Sequence, residues 1–99
     1  MYILIAYDVE ARRTRRYHKL LSRYLLQEQN SVFGGDLTAA TLLQLHRDLA
    51  KLAVEGDRVF QVLAENRHNV SVSLLCKSDG NATLQRLAHD HHRTGTMVL

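Results

Sequence analysis

One apolar segment near the start, residues 2–9 (YILIAYDV), constrains the fold of this chain more than any other stretch. It begins as a nearly continuous apolar run, which is the pattern of a central strand covered on both faces. It ends on a carboxylate, Asp8, and the end of a rigid strand is a common place to hold a metal ion or an acid. The alternative is that Asp8 only caps the following turn. This segment alone leaves both interpretations open.

Size and composition predict one small soluble domain. The chain has 99 residues, of which 45% are apolar and 23% charged. No apolar run approaches the roughly 20 residues needed to cross a bilayer. No basic segment precedes Asp8, so we expect neither a membrane partner nor a signal peptide. The single cysteine, Cys76, is interpreted as a small hydrophobic residue at a strand end, and the cytoplasm is the expected location.

Positive charge is concentrated at the beginning of the chain. Residues 1–26 contain six Lys and Arg residues against two acids, whereas residues 27–66 contain three against six. From residue 12 to 26 the apolar side chains recur with helical spacing. Arg12, Arg16, Lys19 and Arg23 fall within about 60° of one another on that helix, and within the helix no acid lies four positions away to pair with them. The pattern favours a stripe that contacts nucleic-acid phosphates, the alternative being a merely solvated face.

The remaining elements predict the topology. Residues 29–37 (QNSVFGGDL) are either one bent strand or a short hairpin, because of the paired glycines Gly34 and Gly35. A second helix follows from Thr38 to Val54, then two strands over residues 57–64 and 70–76. Residues 84–89 suggest a short helical turn, and the apolar residues 96–99 a strand that pairs with a sheet edge.

This order predicts an α+β, ferredoxin-like βαββαβ sandwich with an extra C-terminal strand that pairs with an edge strand of its own sheet or of a partner subunit. Residues 1–76 form the domain and residues 77–99 a tail for docking in a dimer. Two helices cover only one sheet face, so the other apolar face of the first strand is expected to meet a second copy in a homodimer.

The two motifs YILIAYDV and QNSVFGGDL, separated by a basic amphipathic helix, resemble the small CRISPR-associated adaptation protein family. This family is the endoribonuclease-type partner of the CRISPR integrase. The resemblance covers about residues 1–76. It implies a ferredoxin-like homodimer that cleaves RNA or DNA with a metal ion, bridges integrase subunits and binds duplex DNA during spacer acquisition.

The resemblance also implies the site residues. Asp8 corresponds to the metal ligand, and Mg²⁺ or Mn²⁺ is the implied cofactor. The further residues implied in catalysis are Tyr7, Arg15, Arg16, Ser31 and Phe33. Gly34 and the segment Leu26-Gln27-Glu28 depart from the family pattern, since a larger residue and a basic residue are common there.

Two functions of different classes follow. In the first, Asp8 from both subunits holds Mg²⁺, and Arg15 or Arg16 lies near the scissile phosphate of RNA, including single-stranded RNA, or of DNA. In the second, the dimer is a non-catalytic scaffold that holds duplex DNA through the cationic stripe. A ribonuclease toxin of the virulence-associated type is a further alternative with the same fold. His89, His91 and His92 are interpreted as a solvated cluster rather than a metal site.

Overall fold

The computed structural model describes residues 1–66, 69–77 and 84–92. The expected strand over residues 96–99 lies outside the described residues. Six strands and two helices make up the described fold, joined by one 3-10 helix (Ala11–Arg13). The strands are β1 (Tyr2–Asp8), β2 (Leu26–Gln29), β3 (Val32–Asp36), β4 (Arg58–Asn66), β5 (Asn69–Cys76) and β6 (Gln85–His92). The helices are α1 (Thr14–Leu21) and α2 (Ala39–Leu52).

The strands form one sheet in the order β2-β3-β1-β4-β5-β6, and every neighbouring pair is antiparallel. Helix α1 connects β1 to β2, and β3 lies between these two strands in the sheet. Helix α2 connects β3 to β4, and β1 lies between those two strands. This is the ferredoxin-like βαββαβ arrangement, extended at one edge by β5 and β6. The predicted fold class is confirmed.

The hydrophobic core lies between the helices and one face of the sheet. Side chains of a strand alternate between its two faces, and in β1 Ile3, Ile5 and Tyr7 are the buried set. They pack with the fully buried Phe33 of β3 and with the apolar stripes of both helices. The stripe residues are Tyr17, Leu20 and Leu21 in α1 and Leu42, Leu45 and Leu49 in α2.

We call the other side of the sheet the helix-free face. Its β1 residues are Tyr2, Leu4, Ala6 and Asp8, which alternate with the buried set. The register continues this row through β4 and β5, where Phe60, Val62 and Ala64 face Leu74, Val72 and Val70. Leu4, Val62 and Leu74 are only half-buried, because no helix of the described chain covers this face.

The boundaries of the helices differ in part from the expected ones. Thr38 is the N-cap of α2, as predicted, and its hydroxyl accepts a hydrogen bond from the Thr41 amide. The helix ends at Leu52 rather than at the predicted Val54, and Gly56, whose φ of 95° is easily reached by glycine, lies in the turn that follows. The first helix ends at Leu21 instead of Leu26, because tight turns at Arg23 and Tyr24 direct the chain back to the sheet.

Two further differences concern strands. The segment around the paired glycines is a hairpin of β2 and β3, not one bent strand, and Ser31 lies in its turn. The expected helical turn at residues 84–89 was wrong. Residues 85–92 instead form β6, which pairs with the edge of β5 over most of the length of β5. Neither described helix is long and apolar enough to cross a membrane.

Candidate active site and nucleic-acid interface

Asp8 is the last residue of β1 and lies exposed on the helix-free face. Its partner across the sheet is Arg58 at the start of β4, so both side chains lie in the same row. The Arg58 guanidinium is 5.5 Å from the centre of the Phe60 ring, further along that face. The central strand therefore presents a carboxylate at its tip, next to a cation and to the apolar half-buried surface.

Tyr7 points to the other side of the sheet, into a cleft of about 400 Å³ that we call the Tyr7 cleft. The cleft lies between α1 and the β2–β3 turn, and its lining residues are Tyr7, Thr14, Arg15, His18, Asn30 and Ser31. Three of the residues predicted for catalysis, Tyr7, Arg15 and Ser31, thus come together. The Tyr7 amide donates to the Ser31 carbonyl at 3.1 Å, which ties β1 to the turn. Burial raises the pKa of the Tyr7 hydroxyl, so Tyr7 stays protonated at neutral pH.

Phe33 forms part of the support beneath this cleft. Its side chain is fully buried, and its ring centre lies 6.3 Å from that of Tyr7. The ring centres of Phe33 and His18 are 5.3 Å apart in an edge-to-face arrangement. A side chain without exposed surface has no direct contact with a bound nucleic acid. The structure therefore assigns Phe33 to holding Tyr7 and His18 in place.

Arg16 lies on the opposite side of α1 from the Tyr7 cleft. Together with Lys19 and Arg23 it lines a second cleft, of about 410 Å³, between α1 and α2. We call this the basic cleft; its lining residues are Arg16, Lys19, Leu20, Arg23, Asp48, Lys51 and Leu52. Three of the four predicted stripe cations are together here, joined by Lys51 of α2.

One acid lies among these cations. Asp48 accepts hydrogen bonds from the Tyr24 hydroxyl and, at 3.1 Å, from the Gln44 amide. The Tyr24 bond is the main cause that lowers the pKa of Asp48, with smaller contributions from Arg23 and Lys51. Four cations against one carboxylate leave the basic cleft with a net positive charge.

The structure separates Arg12 from the other stripe residues. Arg12 lies in the 3-10 helix and forms an exposed ion pair with Glu10 at 2.9 Å. Helical spacing did not indicate this ion pair, because Glu10 lies only two positions before Arg12. Exposed pairs of this kind contribute little to stability, but the partner reduces the charge that Arg12 offers to a phosphate.

Arg13 was not singled out in the sequence, yet it is the one buried cation of the described residues. It donates to the Asp57 carboxylate and, at 2.8 Å, to the Leu52 carbonyl. The Tyr17 hydroxyl donates to the same carboxylate oxygen at 2.6 Å, and the Val54 amide at 3.2 Å. Burial alone would raise the pKa of Asp57, but the hydrogen bonds from Tyr17, Arg13 and Val54 outweigh it and lower the pKa.

The described residues of one chain contain only part of a magnesium site. The described residues contain no group of three or more His, Cys, Asp and Glu side chains that could hold a metal ion. Asp8 is one carboxylate, and the residue opposite it, Arg58, is a cation. Mg²⁺ is usually held by one or two carboxylates together with waters and phosphates. Asp8 alone supplies the lower of these two numbers, and a second carboxylate would have to come from another molecule. His89, His91 and His92 lie on β6, and their side chains are outside the described part of the chain.

Thr14, His18 and Asn30 line the Tyr7 cleft and were missed in the sequence. His18 lies one turn after Thr14 in α1, and its spacing alone gives no reason to choose it. Asn30 carries a weak signal, since it precedes Ser31 in a polar segment between two strands. Neither signal identifies a cleft, because the cleft forms only when the β2–β3 turn folds against the helix.

Comparison with known proteins gives a consistent match. The family model for CRISPR associated protein Cas2 matches residues 1–71. The CRISPR-associated endoribonuclease Cas2 3 of Thermodesulfovibrio yellowstonii is 35% identical over 75 residues, which cover 75% of this chain and 85% of the relative. The CRISPR-associated endoribonuclease Cas2 of Haloferax volcanii is 37% identical over 68 residues, covering 69% of this chain and 79% of the relative.

A solved structure agrees with these matches. A crystal structure of Cas2 superimposes with a TM-score of 0.59 at 44% sequence identity, over 62% of this chain and 70% of that chain. The matched part of the sequence contains β1 with Asp8, both helices and both clefts.

Proposed function

Since the chain belongs to the Cas2 family of CRISPR-associated proteins, we propose that it is an endoribonuclease whose active site is built around Asp8 at the tip of β1. One observation carries the proposal: the central strand delivers an exposed carboxylate at the border of an apolar face that no described helix covers. An exposed apolar sheet face of this kind is typical of a surface that meets a partner.

The apolar face supports a homodimer in which two sheets pack face to face. Its half-buried side chains come from three adjacent strands, with Leu4, Val62 and Val72 in one row across the sheet. Burying such a surface against a second copy is favourable by roughly 25 cal/mol per Å² of apolar area. A two-fold axis would pair identical surfaces, and an axis that passes near the Asp8 end of β1 would bring the two copies of Asp8 together.

The dimer would add a second Asp8 carboxylate to the one that the described residues of each chain offer. The two copies of Asp8 would hold Mg²⁺ or Mn²⁺, which would supply an activated water molecule and charge stabilisation at the phosphate. The residues of this chain have simpler roles. Asp8 holds the metal, and Arg58 lies beside it where it can attract the phosphate backbone. Arg15 contacts the substrate from the helix side of the same strand end.

The test is cleavage of RNA by the purified protein with Mg²⁺, compared between wild type and Asp8→Asn. We expect the substitution to lower the rate at least about a hundredfold, because the amide keeps the shape but loses the charge that holds the metal. The matched control is Asp36→Asn, an exposed aspartate at the end of β3. Equal activity in wild type and Asp8→Asn would contradict the proposal.

A second function is favoured by the basic cleft: binding of duplex DNA, with docking to the CRISPR integrase during spacer acquisition. Arg16, Lys19 and Arg23 lie on one side of α1, and Lys51 adds a cation from α2. Contacts to phosphates alone position a duplex without reading its sequence, which suits the capture of foreign DNA. In cells, acquisition that survives Asp8→Asn but fails when the basic cleft is neutralised would make this the physiological role.

A further inference from the structure

The wall of the Tyr7 cleft is held by a chain of hydrogen bonds that links α1 to the β2–β3 hairpin. The Gln27 side-chain amide donates to the Asn30 carbonyl at 3.1 Å. Its Oε1 lies 3.1 Å from His18 Nε2, so a proton on that nitrogen donates to Gln27. The edge contact with Phe33 fixes the same ring from below. The cleft is thus preorganised, which lowers the entropy cost of binding a ligand.

The free polar groups of the cleft define the ligand chemistry. Within the described chain, none of its lining residues is acidic, and Arg15 is a permanent cation. The side-chain amide of Asn30 and the hydroxyl of Ser31 make no hydrogen bond to other described residues. The remaining surface is aromatic, from Tyr7 and His18. A guanidinium suits a phosphate, an amide suits the edge of a base, and aromatic rings suit its flat face.

We propose that the Tyr7 cleft binds one unpaired nucleotide of a nucleic-acid strand, with its phosphate at Arg15 and its base between the His18 ring and the Asn30 amide. The volume of about 400 Å³ is within the range of small-ligand sites and admits a single nucleotide rather than a duplex. A paired base keeps its hydrogen-bonding edge inside the duplex, so only an unpaired base can meet Asn30.

Apart from Arg15, which also contacts the substrate of the proposed nuclease, this site is separate from the other two surfaces. Asp8 lies on the opposite face of the sheet, and the basic cleft lies on the opposite side of α1. The inference rests on the proposed nucleic-acid function, because it names how one strand is held near the end of β1. It predicts that single-strand binding and duplex binding are lost through different substitutions.

The test measures binding of end-labelled, unstructured RNA and DNA oligonucleotides of one sequence, and of the matching DNA duplex, by fluorescence anisotropy with a chelator present. Asn30→Asp places a carboxylate in the cleft without changing side-chain size. We expect it to weaken single-strand binding about tenfold, because the new charge repels the phosphate. The matched control, Gln29→Glu, adds the same charge one residue away on β2, outside the cleft, and should change affinity less than about twofold.

A second variant, Arg15→Gln, tests the site if Asn30→Asp does not fold. Arg15→Gln should weaken single-strand binding about fivefold, whereas Arg47→Gln, an exposed arginine of α2, should leave it within about twofold. Binding of either the RNA or the DNA strand supports the site, and the stronger of the two identifies the natural sugar.

Three results would overturn the inference: no binding of either single strand by wild type, equal effects of Asn30→Asp and Gln29→Glu, or an equal loss of duplex binding in Asn30→Asp. Each is independent of RNA cleavage by Asp8. Loss of cleavage in Asp8→Asn together with unchanged single-strand binding in Asn30→Asp would leave the proposed nuclease standing without this site.

Discussion

Arg13 and Arg16 lie close together in sequence, yet they belong to two different regions around the start of the first helix. Arg13 is buried and forms an ion pair with Asp57, which also accepts a hydrogen bond from Tyr17. Arg16 lies on its exposed side, in the basic cleft, with Lys19 and Arg23 as neighbours. The buried region has a carboxylate for its cation, whereas the exposed region has more cations than carboxylates.

The difference shows that positive charge in this segment serves two purposes. A buried guanidinium with a carboxylate and a carbonyl as partners joins the start of the first helix to the end of α2, where Leu52 lies, and to the end of the following turn, where Asp57 lies. Exposed cations without sufficient partners repel one another and are stabilised by an external anion. The first region should therefore control stability and the second binding.

The largest expected effect comes from breaking the buried pair. Arg13→Ala leaves the Asp57 charge without its main cationic partner in a site where it is 5% exposed. We expect the free energy of unfolding to fall by about 3–5 kcal/mol, measured by urea denaturation at neutral pH. The control Arg47→Ala removes an exposed arginine and should cost less than about 0.5 kcal/mol. Similar losses in the two variants would mean that the buried region is not a structural centre.

Much of the fold could be predicted from the sequence, because its signals are local. The alternating apolar residues of β1, the Thr38 cap and the turn residues before β4 each depend on a few neighbours. β6 was missed because the same local pattern is weak there: its strand conformation comes from pairing with β5. A strand that depends on a distant partner carries little signal of its own.

The site could be predicted only in part. A resemblance in sequence identified Asp8, Tyr7 and Arg15, but periodicity placed Arg12 and Arg16 in one stripe. The structure divides these arginines because the segment is a 3-10 helix up to Arg13 and an α-helix only from Thr14. A change of helical pitch rotates the side chains relative to one another, and no local pattern in four nearby arginines reveals it.

The second prediction concerns the exposed region, which is the basic cleft. Neutralising Arg16, Lys19 and Arg23 together to glutamine should weaken duplex DNA binding and reduce the slope of log affinity against log salt by about 2–3, since each phosphate contact contributes about 0.9. The measurement is a salt titration by fluorescence anisotropy. Arg12→Gln is the matched control, because Glu10 already pairs with Arg12, and its slope should change by less than about 0.5.

An unchanged slope in the triple variant would contradict a role of the basic cleft in duplex binding. An effect of Arg12→Gln as large as one third of the triple effect would mean that the Glu10 pair does not compete with a phosphate. The comparison of the two regions would then hold for burial but not for charge.

The smallest expected effect concerns the hydrogen bond from Tyr17 to Asp57. Burial and this bond raise the pKa of Tyr17, so it remains a donor at neutral and acidic pH. The bond lowers the pKa of Asp57, so its contribution is present above the pKa of the unfolded carboxyl, about 3.9, and is lost as the pH falls through the folded value. Tyr17→Phe should therefore cost about 1–2 kcal/mol at neutral pH and less as the pH falls below about 4.

Tyr24→Phe is the matched control, because the Tyr24 hydroxyl also donates to a carboxylate, Asp48, but in a half-buried pair. Water can reach such a pair and replace the donor, so this variant should cost clearly less than Tyr17→Phe at neutral pH. Urea denaturation of both variants and of wild type at several pH values makes the comparison. A Tyr17→Phe cost that does not change with pH would show that the hydroxyl stabilises the buried region through packing, and that the charge of Asp57 is held by Arg13 and the Val54 amide.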